Sequence, residues 1–426
     1  MNIVVVGAGK MGLPLACQLA NNGGIVTVCD IKIDLVEKIN RAEAPFEEPG
    51  LDDFLKRNII AGRLKASTEL PKVVSEADVI IIIVPAILSE DKDIDFSNLI
   101  AASEEVAQGI KPGTLVSYET TVPIGGCRQT LIPVLEKRGM KAGKDFYVCF
   151  SPERVKSMHV FANLQKNPKI VGGYNAASAK KAVDFYTQFL GAPVIDVGSM
   201  EAAEFVKLAG MVYRDVNIAL ANELAALGES VGLDFYRIRD AANTDGEAAL
   251  LIPGIGVGGH CTPVYPYFLI NYGKRLGIPQ RLAQLSREIN EFQPERHIAR
   301  LANAMGTLNN KRVHILGVAF RPEVKEHAYS PAFSLVKALE MHGAIASVED
   351  PLYSDDEIQR LGFVPATVGT GIIHAVILNT AHSAFKKQNF PYWRERGVTA
   401  VLDGRNFWSQ EEVVQAGLLY LCVGKP

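Results

Sequence analysis

Met1-Asn2-Ile3-Val4-Val5-Val6-Gly7-Ala8-Gly9-Lys10-Met11-Gly12 opens the chain, and its reading decides the fold. Four β-branched apolar residues make a buried strand, and glycines follow at once in the spacing Gly-x-Gly-x-x-Gly. Gly7 permits a tight turn, Gly9 lets the backbone approach a pyrophosphate, and Gly12 allows close helix–strand packing. The helix that follows turns its N-terminus toward the anion. The next apolar run, Ile25–Cys29, ends in Asp30, about twenty residues on, where a carboxylate holds a ribose 2′-hydroxyl. Asp30 favours NAD over NADP because it repels a 2′-phosphate, and Lys32 close by weakens that preference slightly. An α/β turn with no ligand is the plain alternative.

Working outward, residues 1–195 alternate apolar runs with amphipathic stretches. The runs are Ile3–Val6, Ile25–Cys29, Val79–Val84, Thr114–Ser117, Tyr147–Cys149 and Lys169–Val171. This is the pattern of a doubly wound parallel sheet. From Met200 to Asp234 there is no proline, and apolar residues recur at helical spacing, which predicts one long helix ending near Gly232. A second helix and a glycine-rich loop at 253–259 come next. Near Lys311 the alternation restarts, with strands expected at Val313–Leu316, Ala344–Val348, Ala375–Leu378 and Ala400–Leu402. The expected fold is α/β, with two Rossmann-like doubly wound domains joined by a long central helix. The expected domains are a cofactor-binding domain over 1–195, a helical dimerisation domain carrying the cysteine loop over 196–300, and a substrate-binding domain over 301–426.

The bulk properties narrow the function. A chain of 426 residues is too long for one core. Its net charge of −3, without a basic run, argues against nucleic acid or an anionic membrane as the main partner. No apolar stretch approaches a membrane span, and the start carries no basic region of the kind that opens a secretory signal. The cysteines at 17, 29, 127, 149, 261 and 422 are scattered, which reads as reduced thiols in a cytoplasm.

Pro253-Gly254-Ile255-Gly256-Val257-Gly258-Gly259-His260-Cys261-Thr262-Pro263 ends a glycine-rich loop in a thiol. Glycines there let a substrate carbon come close to sulfur, and backbone N–H groups or a helix start favour thiolate. A small buried hydrophobe is the equal alternative. A metal site of His260 with Cys261 is less expected, since no further His/Cys cluster completes it.

Across essentially its whole length the chain resembles the UDP-glucose/GDP-mannose dehydrogenase family, nearest the branch acting on UDP-N-acetylhexosamines. The motifs are Gly7–Gly12, Glu48-Pro49-Gly50-Leu51, Glu119-Thr120-Thr121-Val122-Pro123, Ser151-Pro152-Glu153-Arg154-Val155, and Lys207 with Arg214-Asp215-Val216-Asn217. Gly258-Gly259-His260-Cys261, Ile315–Phe320 and Asp403-Gly404-Arg405-Asn406 complete them. The resemblance implies oxidation of a sugar CH₂OH to a carboxylate with two NAD⁺ per turnover. A cysteine captures the intermediate aldehyde, a second hydride leaves, and water hydrolyses the thioester. By position Cys261 is that nucleophile, and Lys207 stabilises the oxyanions. Glu153 is the base or water activator, and Thr121 orders the water. In isolation Lys207 reads as a solvated helix charge, Glu153 as a surface partner of Arg154, and Thr121 as a strand-end hydroxyl. The implied cofactor set is Gly7, Gly9, Lys10, Met11, Gly12, Asp30, Val84, Pro85 and Thr121. The implied substrate set is Arg154, Lys207, Gly258, Tyr265, Phe320, Arg321 and Arg405. No metal is expected, and a homodimer through the long helix is.

The departures from the family lie around the site. Met211 stands where relatives have asparagine, Tyr265 where they have aspartate, and Glu247 and Ala328 where they have arginines. Ala86-Ile87 and Lys156-Ser157-Met158-His159 also differ from the family pattern. Two phosphate-facing cations are thereby removed, each worth about 1.5–3 kcal/mol in a buried contact. The expectation is an active sugar 6-dehydrogenase whose substrate is less anionic than usual, such as a sugar nucleoside, unless Lys325 or Arg321 replaces the lost cations. An ordinary UDP-sugar 6-dehydrogenase, a catalytically weakened NAD-binding homologue, and an oxidation that stops at the aldehyde are the alternatives.

Overall fold

The computed structural model describes residues 1–89, 91–369 and 371–426. Backbone contacts divide the chain into two compact units, residues 1–210 with 271–276, and residues 211–270 with 277–426. The boundary falls within one helix, Met200–Ser230.

The first unit is built on an eight-stranded sheet. Its strands are β1 Asn2–Val6, β2 Ile25–Cys29, β3 Leu64–Ser67, β4 Val79–Ile82, β7 Leu115–Tyr118, β8 Tyr147–Phe150, β9 Lys169–Gly173 and β10 Val194–Asp196. A hairpin of β5 Ile87–Leu88 and β6 Ile94–Asp95 stands apart from it. The spatial order is β10-β9-β8-β7-β4-β1-β2-β3. Because strand side chains alternate, each central strand feeds two cores. Ile3 and Val5 pack with Leu13, Ala16 and Phe185 on one face. Val4 and Val6 pack with Leu99, Val106 and Leu131 on the other. This is why β1 is apolar at every buried position: a strand covered on both faces has no polar side to spare.

One expectation fails here. The run Lys169–Val171 belongs to the sheet, but β9 pairs antiparallel with β8, through Cys149 opposite Gly173 and Phe150 opposite Gly172. β10 then runs parallel to β9. Apolar alternation specifies burial, and strand direction depends on the path taken by residues 151–168. Two short strands of the sheet were missed, β3 and β10, as was the β5–β6 hairpin. Leu64-Lys65-Ala66-Ser67 has only two apolar residues, and Val194 and Ile195 lie at the exposed sheet edge.

The second unit contains five parallel strands, β11 Arg312–Leu316, β12 Ile345–Glu349, β13 Ala375–Leu378, β14 Ala400–Asp403 and β15 Leu419–Cys422. Their order is β12-β11-β13-β14-β15. Four match the expected runs, and β15 was missed. Cores again cover both faces, with Val313, Ile315 and Ile377 on one side and Leu316, Val376 and Leu378 on the other. The long helix stops at Ser230, and Gly232, with φ of +76°, supplies the left-handed residue just beyond it. Helices Phe235–Ala242, Tyr265–Arg275 and Arg281–Met305 follow. All six cysteines are free thiols. Among the described residues no helix is long and apolar enough to cross a membrane.

Candidate active site

The first turn has the geometry its glycines predict. Gly7 sits at φ of +110°, and its N–H donates to the Cys29 carbonyl at 2.8 Å. A Cβ on Gly12 would stand 1.9 Å from the Gly7 carbonyl oxygen, so any side chain there breaks the turn. A Cβ on Gly9 would meet no atom of the described residues within 4 Å. Gly9 is therefore bare toward open space, which is the face a bound pyrophosphate needs. Met11 precedes the helix Gly12–Asn21, and Lys10 is half-buried beside it. Asp30 accepts from the Ala8 N–H at 2.9 Å through one oxygen and from the Lys32 N–H at 3.0 Å through the other. Each oxygen keeps a lone pair for a ribose hydroxyl. Val84 lies against Gly7, and its carbonyl accepts from the Thr120 hydroxyl. Pro85 accepts weakly from Asn98 at 3.4 Å. The donor set fits a dinucleotide.

At the ends of β7 and β8 the first unit buries a charged cluster. Lys207, on the long helix, is 9% exposed, and its ammonium donates to the Glu153 carbonyl oxygen at 2.6 Å. It is not a solvated helix charge. Glu153 does not pair with the Arg154 guanidinium either. Its Oε1 accepts from the backbone N–H of Arg154 at 2.7 Å and of Val155 at 3.2 Å. Its Oε2 accepts from Lys169 at 3.3 Å. The same ammonium donates to Glu119 at 2.6 Å. Burial would raise the Glu153 carboxyl, but Lys169, the Arg154 N–H and Lys207 together hold it below its ordinary value. Glu119 goes the other way: burial outweighs Lys169 and lifts it to about 6. Thr121 is buried at the end of the same strand, and its hydroxyl has no hydrogen-bond partner among the described residues. Arg154 is exposed, and its guanidinium donates to the Pro168 carbonyl.

Glu204, one helical turn before Lys207, is also fully buried and accepts from the N–H groups of Gly125 at 2.5 Å and Cys127 at 3.0 Å. Burial raises it to about 7 against those two bonds. Glu119, Lys169 and Glu204 received no role in the sequence reading. The available signal was a charge inside an otherwise apolar run, as in Lys169-Ile170-Val171, which marks a buried pair.

In the second unit Cys261 is partly exposed and one turn ahead of the helix Tyr265–Arg275, whose Tyr265 N–H donates to the Cys261 carbonyl at 2.9 Å. The loop before it is held at both ends. The Gly254 N–H donates to Asn222 at 2.9 Å, and Arg287 donates to the Thr262 carbonyl at 3.4 Å while paired with Asp215 at 2.7 Å. The loop glycines serve packing and do not simply clear a path to sulfur. A Cβ on Gly258 would stand 2.5 Å from Phe320 Cβ, and one on Gly256 2.8 Å from Pro331. Gly259, at φ of +105°, lies against the Phe320 ring and donates its N–H to the Ala328 carbonyl at 2.8 Å. Tyr265 packs on Phe268 with ring centroids 5.6 Å apart.

Three cations of this unit have distinct environments. Lys325 is held by both oxygens of Glu357, at 2.6 and 2.8 Å. Arg321 lies 3.9 Å from Glu326 and against the Phe320 ring. Arg405 donates through Nε to the Asn379 carbonyl at 2.7 Å, and no carboxylate among the described residues forms an ion pair with it. Glu247 is exposed at the tip of a loop closed by reciprocal bonds between Asn243 and Leu250.

Three domain profiles of one family match the chain. The UDP-glucose/GDP-mannose dehydrogenase NAD binding domain matches residues 1–190, the central domain 201–292, and the UDP binding domain 314–410. A UDP-N-acetyl-D-mannosamine dehydrogenase of Pyrococcus horikoshii is 32% identical, over 100% of this chain and 99% of its own. The solved structure of that enzyme from the same organism has a TM-score of 0.89 at 31% identity, covering 100% of this chain and 99% of that one. An NDP-N-acetyl-D-galactosaminuronic acid dehydrogenase of Ralstonia solanacearum is 31% identical, over 96% of this chain and 97% of its own. A glycine turn that fits a dinucleotide and three consecutive family domains agree, and the chain belongs to the UDP-glucose/GDP-mannose dehydrogenase family as an NAD-dependent nucleotide-sugar dehydrogenase.

Proposed function

We propose that the chain oxidises the C6 primary alcohol of a hexosyl conjugate to the carboxylate, through a thiohemiacetal and a thioester on Cys261. The observation that carries this reading is the buried Lys207 ammonium donating to the Glu153 carbonyl oxygen. Gly7, Gly9, Gly12 and Asp30 hold NAD, which when bound supplies hydride acceptance. Glu153, kept ionised by its neighbours, takes the proton of the alcohol and later that of the hydrolytic water. The Cys261 sulfur adds to the aldehyde carbon, and Lys207 stabilises the alkoxide so formed. After the second oxidation water adds to the thioester, Lys207 stabilises that oxyanion, and the thiolate leaves. The Thr121 hydroxyl, free to bond a ligand, orders that water. Replacing Cys261 by serine is expected to abolish acid formation and leave NAD binding intact, with NADH yield and calorimetric titration as the measurements. A Cys261→Ser enzyme that still reduces two NAD⁺ per substrate overturns the covalent role.

The substrate we assign carries less negative charge than a UDP-sugar. Glu357 commits Lys325, Glu326 lies beside Arg321, and Arg405 is left as the donor for an anion. The UDP binding profile and the relatives' substrates support the second reading, an ordinary UDP-sugar 6-dehydrogenase. A panel of UDP-hexoses, UDP-N-acetylhexosamines and uncharged hexosyl nucleosides separates the two. A UDP-sugar kcat/KM more than about tenfold above every nucleoside, worth ~1.4 kcal/mol, decides for the second. NAD binding without turnover on any of them would mark a weakened homologue, and an aldehyde product would mark a two-electron enzyme.

We further assign a cytoplasmic homodimer built on the long helix. Of its expected apolar residues Leu208 is buried within the unit, whereas Phe205 and Leu220 stay 47% and 42% exposed. Tyr213, Leu220 and Leu227, 64%, 42% and 61% exposed, recur at seven-residue spacing with Val216 and Leu224 between them. That is the seam of a helix that packs on another. A monomer by light scattering at micromolar concentration rejects it.

A further inference from the structure

Glu153 owes its charge to a residue with no assigned part in the reaction. Lys169 opens β9 with its side chain 5% exposed, and its ammonium lies between Glu119 Oε2 at 2.6 Å and Glu153 Oε2 at 3.3 Å. Behind it, Tyr186 donates to Glu119 Oε1 at 2.6 Å and meets the Ser117 hydroxyl at 2.7 Å. The ammonium also faces the Tyr186 ring, 5.1 Å from its centre. We propose that Lys169 is a positioning residue that fixes the orientation and the ionised state of the Glu153 carboxylate, with Glu119 and Tyr186 as its counter-anchor. This rests on the reading of Glu153 as the base.

The alternative use of such a chain is a proton relay, and its exit decides against that. Ser117, Tyr186 and Glu119 are 0%, 0% and 1% exposed, so a proton passed inward from Glu153 has nowhere to go. The chain is closed on that side and open only at Glu153. A closed chain clamps. Both Glu153 oxygens are held, one by two backbone N–H groups and one by Lys169, so the side chain has a single orientation before any substrate arrives. The charges that act on Glu153 are Lys169 from β9 and Lys207 from the long helix; Glu119 at the end of β7 shares Lys169, is raised by Glu153, and faces Cys149 of β8. One ammonium thus holds two carboxylates, and Glu119, lifted to about 6, is already neutral where Glu153 titrates.

That order of titration predicts different outcomes for two variants. Lys169→Met removes the cation and raises the pKa of Glu153. Glu119→Gln keeps an oxygen for Lys169 and Tyr186 and removes a charge that Glu119 has already lost in that pH range, so it leaves the Glu153 midpoint where it was. The midpoint of Glu153 is read by carboxyl ¹³C NMR on glutamate-labelled protein, its resonance assigned with Glu153→Gln, and needs no substrate. A rise of about one pH unit is expected in Lys169→Met and none in Glu119→Gln. Turnover on the best substrate of the panel is read alongside. Lys169→Met is expected to lower kcat about 100-fold with KM and NAD affinity little changed, and Lys169→Arg to recover most of it. An unshifted midpoint in Lys169→Met, or an equal rise in Glu119→Gln, overturns the proposal. If Lys169→Met does not fold, Lys169→Gln is read in its place, and an unshifted Glu153 midpoint there overturns the proposal. If Glu153→Gln retains turnover, the assigned role of Glu153 falls, while the midpoints still report whether Lys169 sets its charge.

Discussion

The two sheets begin in the same way and use that beginning for different ends. In the first unit Gly7 turns at φ of +110°, and Asp30 at the end of the neighbouring strand accepts the Ala8 N–H. In the second Gly317 turns at φ of +103°, its N–H donates to the Glu349 carbonyl at 2.7 Å, and Asp350 accepts from Val318 and Ala319 at 2.7 and 3.0 Å. There the likeness stops. After Gly9 the helix starts at once, with the Leu13 N–H on the Gly9 carbonyl. After Ala319 a loop runs to the helix Pro331–Met341, closed by the Phe320 N–H on the Glu326 carbonyl. Asp350 is sealed by the Leu352 N–H and His382, and a Cβ on Gly317 would strike Thr380 at 2.4 Å. One turn is open to a dinucleotide, and the other is filled by its own protein and offers its loop to the cysteine segment.

Substituting the equivalent positions is the most direct way to break this comparison. Gly12→Ala places a methyl 1.9 Å from the Gly7 carbonyl, with the backbone unable to yield. Loss of NAD binding by at least about 100-fold is expected, ~2.7 kcal/mol or more, measured by calorimetric titration. Near-native affinity would mean the turn is not the cofactor site. Asp350→Ala leaves two buried N–H groups and His382 without their acceptor. We expect about 3–5 kcal/mol of lost stability by urea denaturation, with NAD affinity unchanged in whatever folds. Asp30→Ala should show the reverse, about tenfold weaker NAD and a small stability change. If both aspartates affect the same property, the two turns are not functionally distinct.

Acid separates the units as well. Glu204 titrates at about 7 in the folded first unit, above its ordinary range, because burial outweighs its bonds to Cys127 and Gly125. The folded state therefore holds a proton that the unfolded chain releases near pH 4.5. Its contribution is complete below that pH and is lost as pH rises through 7, on the order of 3 kcal/mol. For Asp350 burial opposes ionisation, but His382 and the N–H groups of Ala319 and Leu352 prevail, and its carboxyl lies below the ordinary value. Its contribution is present above about pH 3.8 and is lost as pH falls further. Urea midpoints at pH 5 and 7.5 are expected to show a decline that Glu204→Gln flattens. An unchanged slope in that variant would place the titrating group elsewhere. The smallest effect is at Gly9, where the open side accepts a methyl: Gly9→Ala should alter stability by under about 0.5 kcal/mol while weakening NAD.

Much of this organisation was legible in the residues because it is local. A strand, a positive-φ turn and a helix packed through Gly12 are set within a dozen positions. So is the long helix, which needs only an unbroken 3.6-residue period and Gly232 to end it. The assignment of Cys261, Lys207, Glu153 and Thr121 came from matched motifs, whereas the contact of the Lys207 ammonium with the Glu153 carbonyl was not readable from either residue alone. Tertiary structure alone decided the rest. Lys169 meets Glu119 across 50 residues and Lys207 meets Glu153 across 54, and no local period encodes a contact at that distance. The antiparallel direction of β9, the packing of Gly258 on Phe320 and the capture of Lys325 by Glu357 are of the same kind. Sequence pattern reports which side chains must leave water. Which charge each buried group finds there depends on how distant segments close over one another, and that sets whether a carboxylate stays ionised as Glu153 does or holds its proton toward neutrality as Glu119 and Glu204 do.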